Sequence, residues 1–391
     1  MSKNIFVFVV CGAAEHIDTL HLSLKYLEKY SRNEIFIITD SSRNEIELKH
    51  AHIIDIKTDE QLNHHQASIY LKTGIHKFLP RGNNYCYLDT DVLALSDECD
   101  AIFNEFIAPI RFAPDHCRVR KFSAYAVNCG CLKKREADRE IFGQFVDTLN
   151  GVTITDPLLL AKGKELQFVF DQLKQSPLKR LTTALRYFLS YPVFKLNDTF
   201  SFNKKTRSWS LPSGGIVMHE MNIKKMQEAT GLRYNKWNQK WYNKDNEDIW
   251  HDECNHLVAF IKNTFQVDVT EKDWQHWNGG VFLFNDASHD FLDAWHNKTM
   301  HIFTLPAWKT RDQGTLIATA WEFGLSAHPV LSKKWNFIAD YYNNGLELSA
   351  ADNLVTDDGF KTAYHPVFVH VYHNWGKADW ELWQWIQSKL N

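Results

Sequence analysis

Tyr85-Cys86-Tyr87-Leu88-Asp89-Thr90-Asp91-Val92-Leu93-Ala94-Leu95 joins two apolar runs through a pair of carboxylates. The first run reads as a buried strand with Asp89 and Asp91 at its carboxyl end. Alternation along an extended chain points both side chains to one side. In open α/β sheets, ligands bind outside that end of the strands. Two hard oxygen donors suit Mg²⁺ or Mn²⁺, which leave coordination positions for substrate phosphates. The competing reading is a surface turn after a core strand, where Asp and Thr are common. The rest of the chain tips the balance toward a site.

Upstream of this stretch, strands and helices alternate. Asn4 to Cys11 is a β-prone run followed by Gly12 and a helical stretch from His16 to Tyr30. Glu34 to Thr39 is a second strand and His52 to Ile56 a third. Asp59 to Leu79 reads as one long helix stopped by Pro80-Arg81-Gly82. Such alternation predicts an α/β fold with a mostly parallel sheet and helices on both faces. The pattern blurs after Leu132. A helix is expected from Lys133 to Leu149, then mixed signals with Pro157, Pro177, Pro192 and Pro212 run to Glu271. This region reads as a large, mostly helical insertion. The α/β pattern returns at Gly279-Gly280-Val281-Phe282-Leu283-Phe284. Helices are expected at 288–295 and 312–323, a strand at 366–372 and a closing helix at 379–390. The expected organisation is therefore an α/β half at 1–131, an inserted subdomain at 132–271 and a second half at 272–391.

The bulk numbers are compatible with that plan. A chain of 391 residues suits one large or two unequal domains. A net charge of −3 does not favour a nucleic-acid partner. No apolar run approaches the roughly 20 residues that span a bilayer. The start reads as a first strand rather than a signal peptide. Seven cysteines, an odd number without a disulfide-framework pattern, fit a reducing, cytoplasmic compartment. The sequons at Asn197 and Asn297 carry no meaning there. Cys129-Gly130-Cys131 is a candidate metal pair, but no second Cys or His pair is recognised at zinc-finger spacing, so zinc is not expected.

Four segments bear on chemistry: Tyr70-Leu71-Lys72 leading into Asp89-Thr90-Asp91, Trp277-Asn278-Gly279-Gly280-Val281, Thr310-Arg311-Asp312-Gln313-Gly314, and His370-Val371-Tyr372-His373-Asn374-Trp375-Gly376-Lys377. In this order they resemble glycosyltransferases of the family 8 type, which have the GT-A fold. In that family a helical Lys or Arg precedes Leu-Asp-x-Asp. An Asn-x-Gly-Val strand, an Asp-Gln pair opening a helix, and a late His-x-x-Gly follow. The resemblance covers roughly residues 1–130 and 272–391. It departs in the long middle region and at Lys377, which follows Gly376 directly where the family has two residues between.

The resemblance implies a metal-dependent transfer of a hexose from a nucleotide-sugar donor, a UDP-sugar, with retention at the anomeric carbon. Asp89, Asp91 and His373 would hold Mn²⁺ or Mg²⁺. His370 is three residues earlier, so on a continuous strand it would face the opposite side. Lys72 and Lys377 would neutralise phosphate or hold polar groups of the donor. Asn278 and Gly279 would let backbone approach the sugar, although Gly279-Gly280 equally suits a strand bulge. Asp312 and Gln313 are the expected reacting-centre residues; the alternative is that Thr310 or Asp312 only caps a helix. Cys11, Gly12 and Ala13 would line the base and ribose. Neither a dinucleotide glycine fingerprint nor an ATPase phosphate loop is present.

The acceptor could be a glycan, a glycolipid or a protein. Residues 174–195 alternate Lys174, Lys179, Arg180, Arg186 and Lys195 with leucines and aromatics. They read either as an interfacial helix making peripheral membrane contact or as a basic surface helix. Trp237, Trp241 and Trp250 could form a sugar platform or a local core. His64 and His65 point to different helix faces and are not read as a metal pair. Two other readings stay open: an inverting enzyme of the same fold with Asp312 or another carboxylate as base, and a non-catalytic sugar-nucleotide or glycan-binding protein.

Overall fold

Ile5-Phe6-Val7-Phe8-Val9 is apolar at every position, so it can be accommodated only by a strand covered on both faces. The computed structural model places it there. The structure describes residues 2–148, 156–174, 176–219, 223–309, 311–342, 346–349, 354–357 and 362–390. Among these, the chain forms two compact units, one of residues 1–130 with 253–391 and one of 131–252.

In chain order the larger unit begins with β1 (Asn4–Val9), α1 (Ala14–Tyr30), β2 (Glu34–Thr39), β3 (Ile53–Asp55), α2 (His64–Thr73), β4 (Asn84–Leu88), β5 (Val92–Ala94), β6 (Arg111–Pro114) and α3 (Val119–Ala126). The smaller unit holds α4 (Cys131–Thr148), α5 (Pro157–Lys174), α6 (Pro177–Leu189), β7 (Val193–Lys195), β8 (Ser201–Asn203), β9 (Ser208–Ser210), β10 (Ile216–His219), α7 (Ile223–Thr230), β11 (Arg233–Asn235) and β12 (Lys240–Tyr242). The larger unit then resumes with α8 (His256–Phe265), β13 (Trp277–Phe284), α9 (His289–Ile302), α10 (Asp312–Glu322), β14 (Phe337–Ile338), β15 (Leu346–Ser349), β16 (Leu354–Asp357), β17 (Thr362–Tyr364), β18 (Phe368–His370) and α11 (Glu381–Ser388).

The central sheet has the order β3-β2-β1-β4-β13-β6. The first four strands are parallel, and β13 runs antiparallel to both β4 and β6. This is the mixed, parallel-rich α/β architecture expected from the alternating pattern. Side chains from the two faces of the sheet enter separate cores. One gathers Val7, Tyr87, Phe112, Phe282 and Trp295, and the other Phe6, Phe8, Leu24, Cys86 and Leu283. Stacked rings of Phe112, Trp277 and Phe282 fill the first. A short second sheet, β14-β18-β5, extends from the Asp89-Thr90-Asp91 turn.

Two expected boundaries shift for local reasons. The helix expected over 59–79 is shorter: the reciprocal cap between Asn63 and Gln66 starts α2, and Gly74 ends it before a short 3₁₀ turn. The division between units falls at 252 rather than 271, because Leu257 and Ile261 of α8 are buried in the larger unit's core with Ala126 and Leu316.

In the smaller unit helices predominate over short strands. One cluster unites Leu166, Phe194, Phe200, Phe202 and Val217, and another Met226, Leu232, Trp241 and Ile249. The tryptophans divide accordingly: Trp241 is core, whereas Trp237 is 96% exposed. Among the described residues, no helix is long and apolar enough to cross a membrane.

Candidate active site

The site lies where β4, β13 and β18 and the facing ends of α2 and α10 converge, all within the larger unit. Asp89 follows the last residue of β4, and its amide donates to the Gly280 carbonyl of β13 at 2.8 Å. Its Oδ1 accepts from the Tyr87 hydroxyl at 2.5 Å and lies 3.1 Å from Lys72 Nζ. Lys72 stands in the last turn of α2 and also lies 3.1 Å from Asp312 Oδ2. Burial alone would push the lysine pKa down, but the carboxylates of Asp312 and Asp89 outweigh it and raise it. Lys72 therefore stays charged.

Asp91 is two residues on, and its Oδ1 lies 3.1 Å from His370 Nε2 at the end of β18. Burial would raise the Asp91 pKa, yet the adjoining His370 brings it down; His370 is raised in return by Asp91, against its own burial. The other ring nitrogen, His370 Nδ1, is 3.1 Å from Asn336 Oδ1. With the proton on Nδ1, that bond fixes the tautomer in which Nε2 is a donor atom for a metal. Asn336 in turn donates to Asn278 Oδ1 at 3.0 Å, and Asn278 donates to Asp115 Oδ2 at 2.9 Å.

Ligand atoms of Asp89, Asp91 and His370 all lie within 4.8 Å of one another. Two carboxylates and an imidazole are a donor set that Mn²⁺ accepts readily and Mg²⁺ accepts through the carboxylates. The floor beneath them is Gly280, where a Cβ would come within 2.6 Å of His370 Cε1 and 3.0 Å of Asp89 Oδ2. The residues present therefore fit a divalent cation.

His373 is the expected third ligand; the imidazole that lies beside Asp89 and Asp91 in the structure is that of His370. The strand ends at His370. The amides of Tyr372 and His373 then donate to Asp340 Oδ2 at 2.6 and 2.5 Å, turning the chain and leaving His373 exposed. The alternation argument that sent His370 to the opposite side assumed a strand continuing through 373. Lys377 is exposed and hydrogen-bonded to Asn374, outside the carboxylate cluster.

Asp312 and Gln313 do converge on the site. The side chain of Asp312 pairs with Lys72 rather than capping α10, whose N-cap residue is Arg311; Thr310 lies outside the described residues. Gln313 Nε2 donates to Asp115 Oδ2 at 3.0 Å. Gly279 lies beside Lys72 and Asp312, and pairing of β13 with β6 is interrupted between Asn278 and Phe282. The bulge and the close approach are thus one feature.

Asp115 was not anticipated. It is 6% exposed and also lies near His116 and His276. Burial would raise its pKa, but His276, His116 and the Asn278 hydrogen bond hold it well below the usual carboxylate range. Its only signal in the sequence is a place at the end of a strand, which many solvated aspartates share.

The Cys11-Gly12-Ala13 loop follows β1. Cys11 is buried, and Gly12 has φ +107°, a conformation that favours glycine. Gly12 N donates to Asn44 Oδ1 at 3.1 Å, and Ala14 N to Glu45 Oε2 at 3.0 Å. Neighbouring Asp40, after β2, would be raised by burial, but hydrogen bonds from Ser42 and Thr58 bring its pKa down to about 2.

No family model matches the chain, and no curated protein matches it. Among solved structures, it is similar to the galactosyltransferase LgtC in complex with donor and acceptor sugar analogs. The identity is 10%, 99% of this chain and 95% of that one are covered, and the TM-score is 0.41. Mouse xyloside xylosyltransferase 1, apo form, is similar at 10% identity over 95% of this chain and 98% of that one, with a TM-score of 0.38. The glycosyltransferase GlyE of Streptococcus pneumoniae TIGR4 aligns at 18% identity over 29% of this chain and 30% of that one, with a TM-score of 0.22. With TM-scores below 0.5 these overlaps are loose and assign nothing to the site.

Proposed function

We propose that this chain is a metal-dependent glycosyltransferase of the GT-A fold, moving a hexose from a UDP-sugar to a glycan, glycolipid or protein acceptor with retention. The observation that carries this reading is the charge and geometry of the cluster. Asp89, Asp91 and Asp312 against Lys72 leave two formal negative charges beside the His370 ring, before that ring is counted. A divalent cation cancels them and turns the site toward an anionic diphosphate.

Asp89, Asp91 and His370 would hold Mn²⁺ or Mg²⁺, with His370 in place of the expected His373. A bound ion there would stabilise the charge growing on the departing nucleoside diphosphate. Lys72 keeps its proton and supplies a fixed positive charge beside Asp89 and Asp312. The Asp312 carboxylate lies beside Gly279, and the next residue, Gln313, has its amide held by Asp115. These two groups would face the oxocarbenium-like sugar carbon. Cys11, Gly12 and Ala13 would line the base and ribose, and Lys377 would meet the donor from the loop following β18. The two halves, 1–131 and 272–391, would serve donor and acceptor, with the inserted unit shaping acceptor access in a cytoplasmic enzyme.

The test is release of nucleotide from a panel of nucleotide sugars with Mn²⁺ and with chelator. Release from one donor, lost with chelator, is expected. Absence both of turnover and of any metal-dependent stabilisation by a nucleoside diphosphate would sink the reading.

A membrane-surface role for α6 rests on its exposed face. Leu178, Leu181, Leu185 and Phe188 are 72%, 59%, 55% and 78% exposed at helical spacing, with Lys179, Arg180 and Arg186 alongside. Basic residues flanking an apolar stripe suit an anionic lipid surface. The chain is expected to sediment with phosphatidylglycerol vesicles far more than with phosphatidylcholine ones. Leu181→Glu with Phe188→Glu should lower that binding roughly tenfold or more, given the apolar area withdrawn, and leave donor turnover unchanged. Equal sedimentation of variant and parent would remove the role.

A further inference from the structure

We propose that Cys129, Cys131, Cys254 and His256 bind a structural zinc ion. The sequence shows Cys129-Gly130-Cys131 and, over a hundred residues later, Cys254-Asn255-His256. Each is a pair of zinc-ligand types separated by one residue. The fold brings the pairs together, and one ligand atom from each of the four lies within 4.8 Å of the others. Cys129, Cys254 and His256 belong to the larger unit, and Cys131 follows Cys129 after a single glycine.

Three observations separate this cluster from a chance gathering of thiols. Cys129 Sγ and Cys254 Sγ are 3.9 Å apart. Two sulfurs bound tetrahedrally at about 2.3 Å from zinc are separated by about 3.8 Å. Second, Gly130 has φ +75°, which tightens the turn between the two cysteines of the first pair. Third, Cys254 Sγ lies 3.1 Å from Ser123 Oγ, and that oxygen accepts from the Leu257 amide at 2.9 Å. The hydroxyl proton is thereby free to point at the sulfur, as the supporting groups of thiolate–metal sites do. The Cys254 amide donates to the Arg120 carbonyl at 3.1 Å, fixing the second pair against α3.

Three cysteines and one histidine make a closed structural set with no position left for substrate. On binding, the three thiols lose their protons to solvent and the neutral imidazole donates a lone pair. The ion would tie the Cys129-Gly130-Cys131 turn to Cys254 and His256. This role is separate from the Asp89-Asp91-His370 cluster, which has no sulfur.

The test is the metal content of the full chain purified under reducing conditions without chelator from zinc-supplemented cells. A single zinc per chain is expected, retained in Asp91→Asn and lost in Cys254→Ser. His256→Ala changes an exposed residue, keeps the fold measurable and should weaken zinc retention at least tenfold, as loss of one of four ligands implies. Replacing zinc by Co²⁺ should give the thiolate charge-transfer and intense visible bands of a tetrahedral site, both absent in Cys129→Ser. Zinc-free protein with reactive thiols, or a disulfide between Cys129 and Cys254 as isolated, would overturn the proposal. So would zinc that survives the cysteine substitutions and departs in Asp91→Asn.

Discussion

Asp91→Asn is expected to lower nucleotide release from the donor by on the order of 10³-fold, the scale for removing one group that meets developing charge. The amide preserves shape. It removes the negative charge that a divalent ion needs, and it leaves His370 without the carboxylate 3.1 Å from its Nε2. Asp89→Asn should act similarly and also loosen Lys72, which is shared between Asp89 and Asp312. The thermal midpoint of either variant should stay near that of the parent, so the loss would be chemical rather than a failure to fold. Turnover within threefold of the parent for Asp91→Asn would show that the cluster is not the metal seat.

Gly280→Ala tests the floor of the site, and its effect should be nearly as large. The new methyl would lie 2.6 Å from His370 Cε1, 2.8 Å from Asn278 Oδ1 and 3.0 Å from Asp89 Oδ2. None of these can retreat cheaply. His370 is held between Asp91 and Asn336, and Asn278 between Asp115, Asn336 and the Gly280 amide itself. Overpacking of this kind costs about 1–3 kcal/mol. The urea midpoint should fall accordingly, and Mn²⁺ affinity should fall with it as His370 is displaced. Gly279→Ala is the contrast. Its methyl would sit 3.3 Å from both Lys72 Nζ and Asp312 Oδ2, contacts that a shift of a few tenths of an ångström relieves. It should reduce turnover while leaving the urea midpoint nearly unchanged. Equal behaviour of the two alanine variants would contradict the packing described.

The parts of this fold written in local sequence are those whose pattern has one physical solution. The apolar run of β1 and the run Tyr85–Leu88 ending in Asp89 can only be covered strands, and they paired as neighbours. Lys72 was legible because a helix and a turn separate it from the carboxylates, and the pair Asp312-Gln313 because it opens a helix. The choice between His370 and His373 was not legible. It depends on where β18 stops, which Asp340 decides from thirty residues away by accepting two backbone amides. Asp115 and Asn336 were invisible for a related reason. Each acts through a partner distant in the chain, and neither carries a distinctive spacing. The Cys254-Asn255-His256 pair is not legible beside Cys129-Gly130-Cys131 because over a hundred residues separate them, beyond the range over which spacing is read as a motif.

The most direct measurement is the affinity of Mn²⁺ in the presence of UDP, read by proton relaxation or electron paramagnetic resonance, for the parent, His370→Ala and His373→Ala. A single Mn²⁺ site is expected, weakened strongly by His370→Ala and little changed by His373→Ala. Loss in His373→Ala with retention in His370→Ala, or no Mn²⁺ binding by the parent at all, would contradict the assignment of Asp89, Asp91 and His370 as the metal centre.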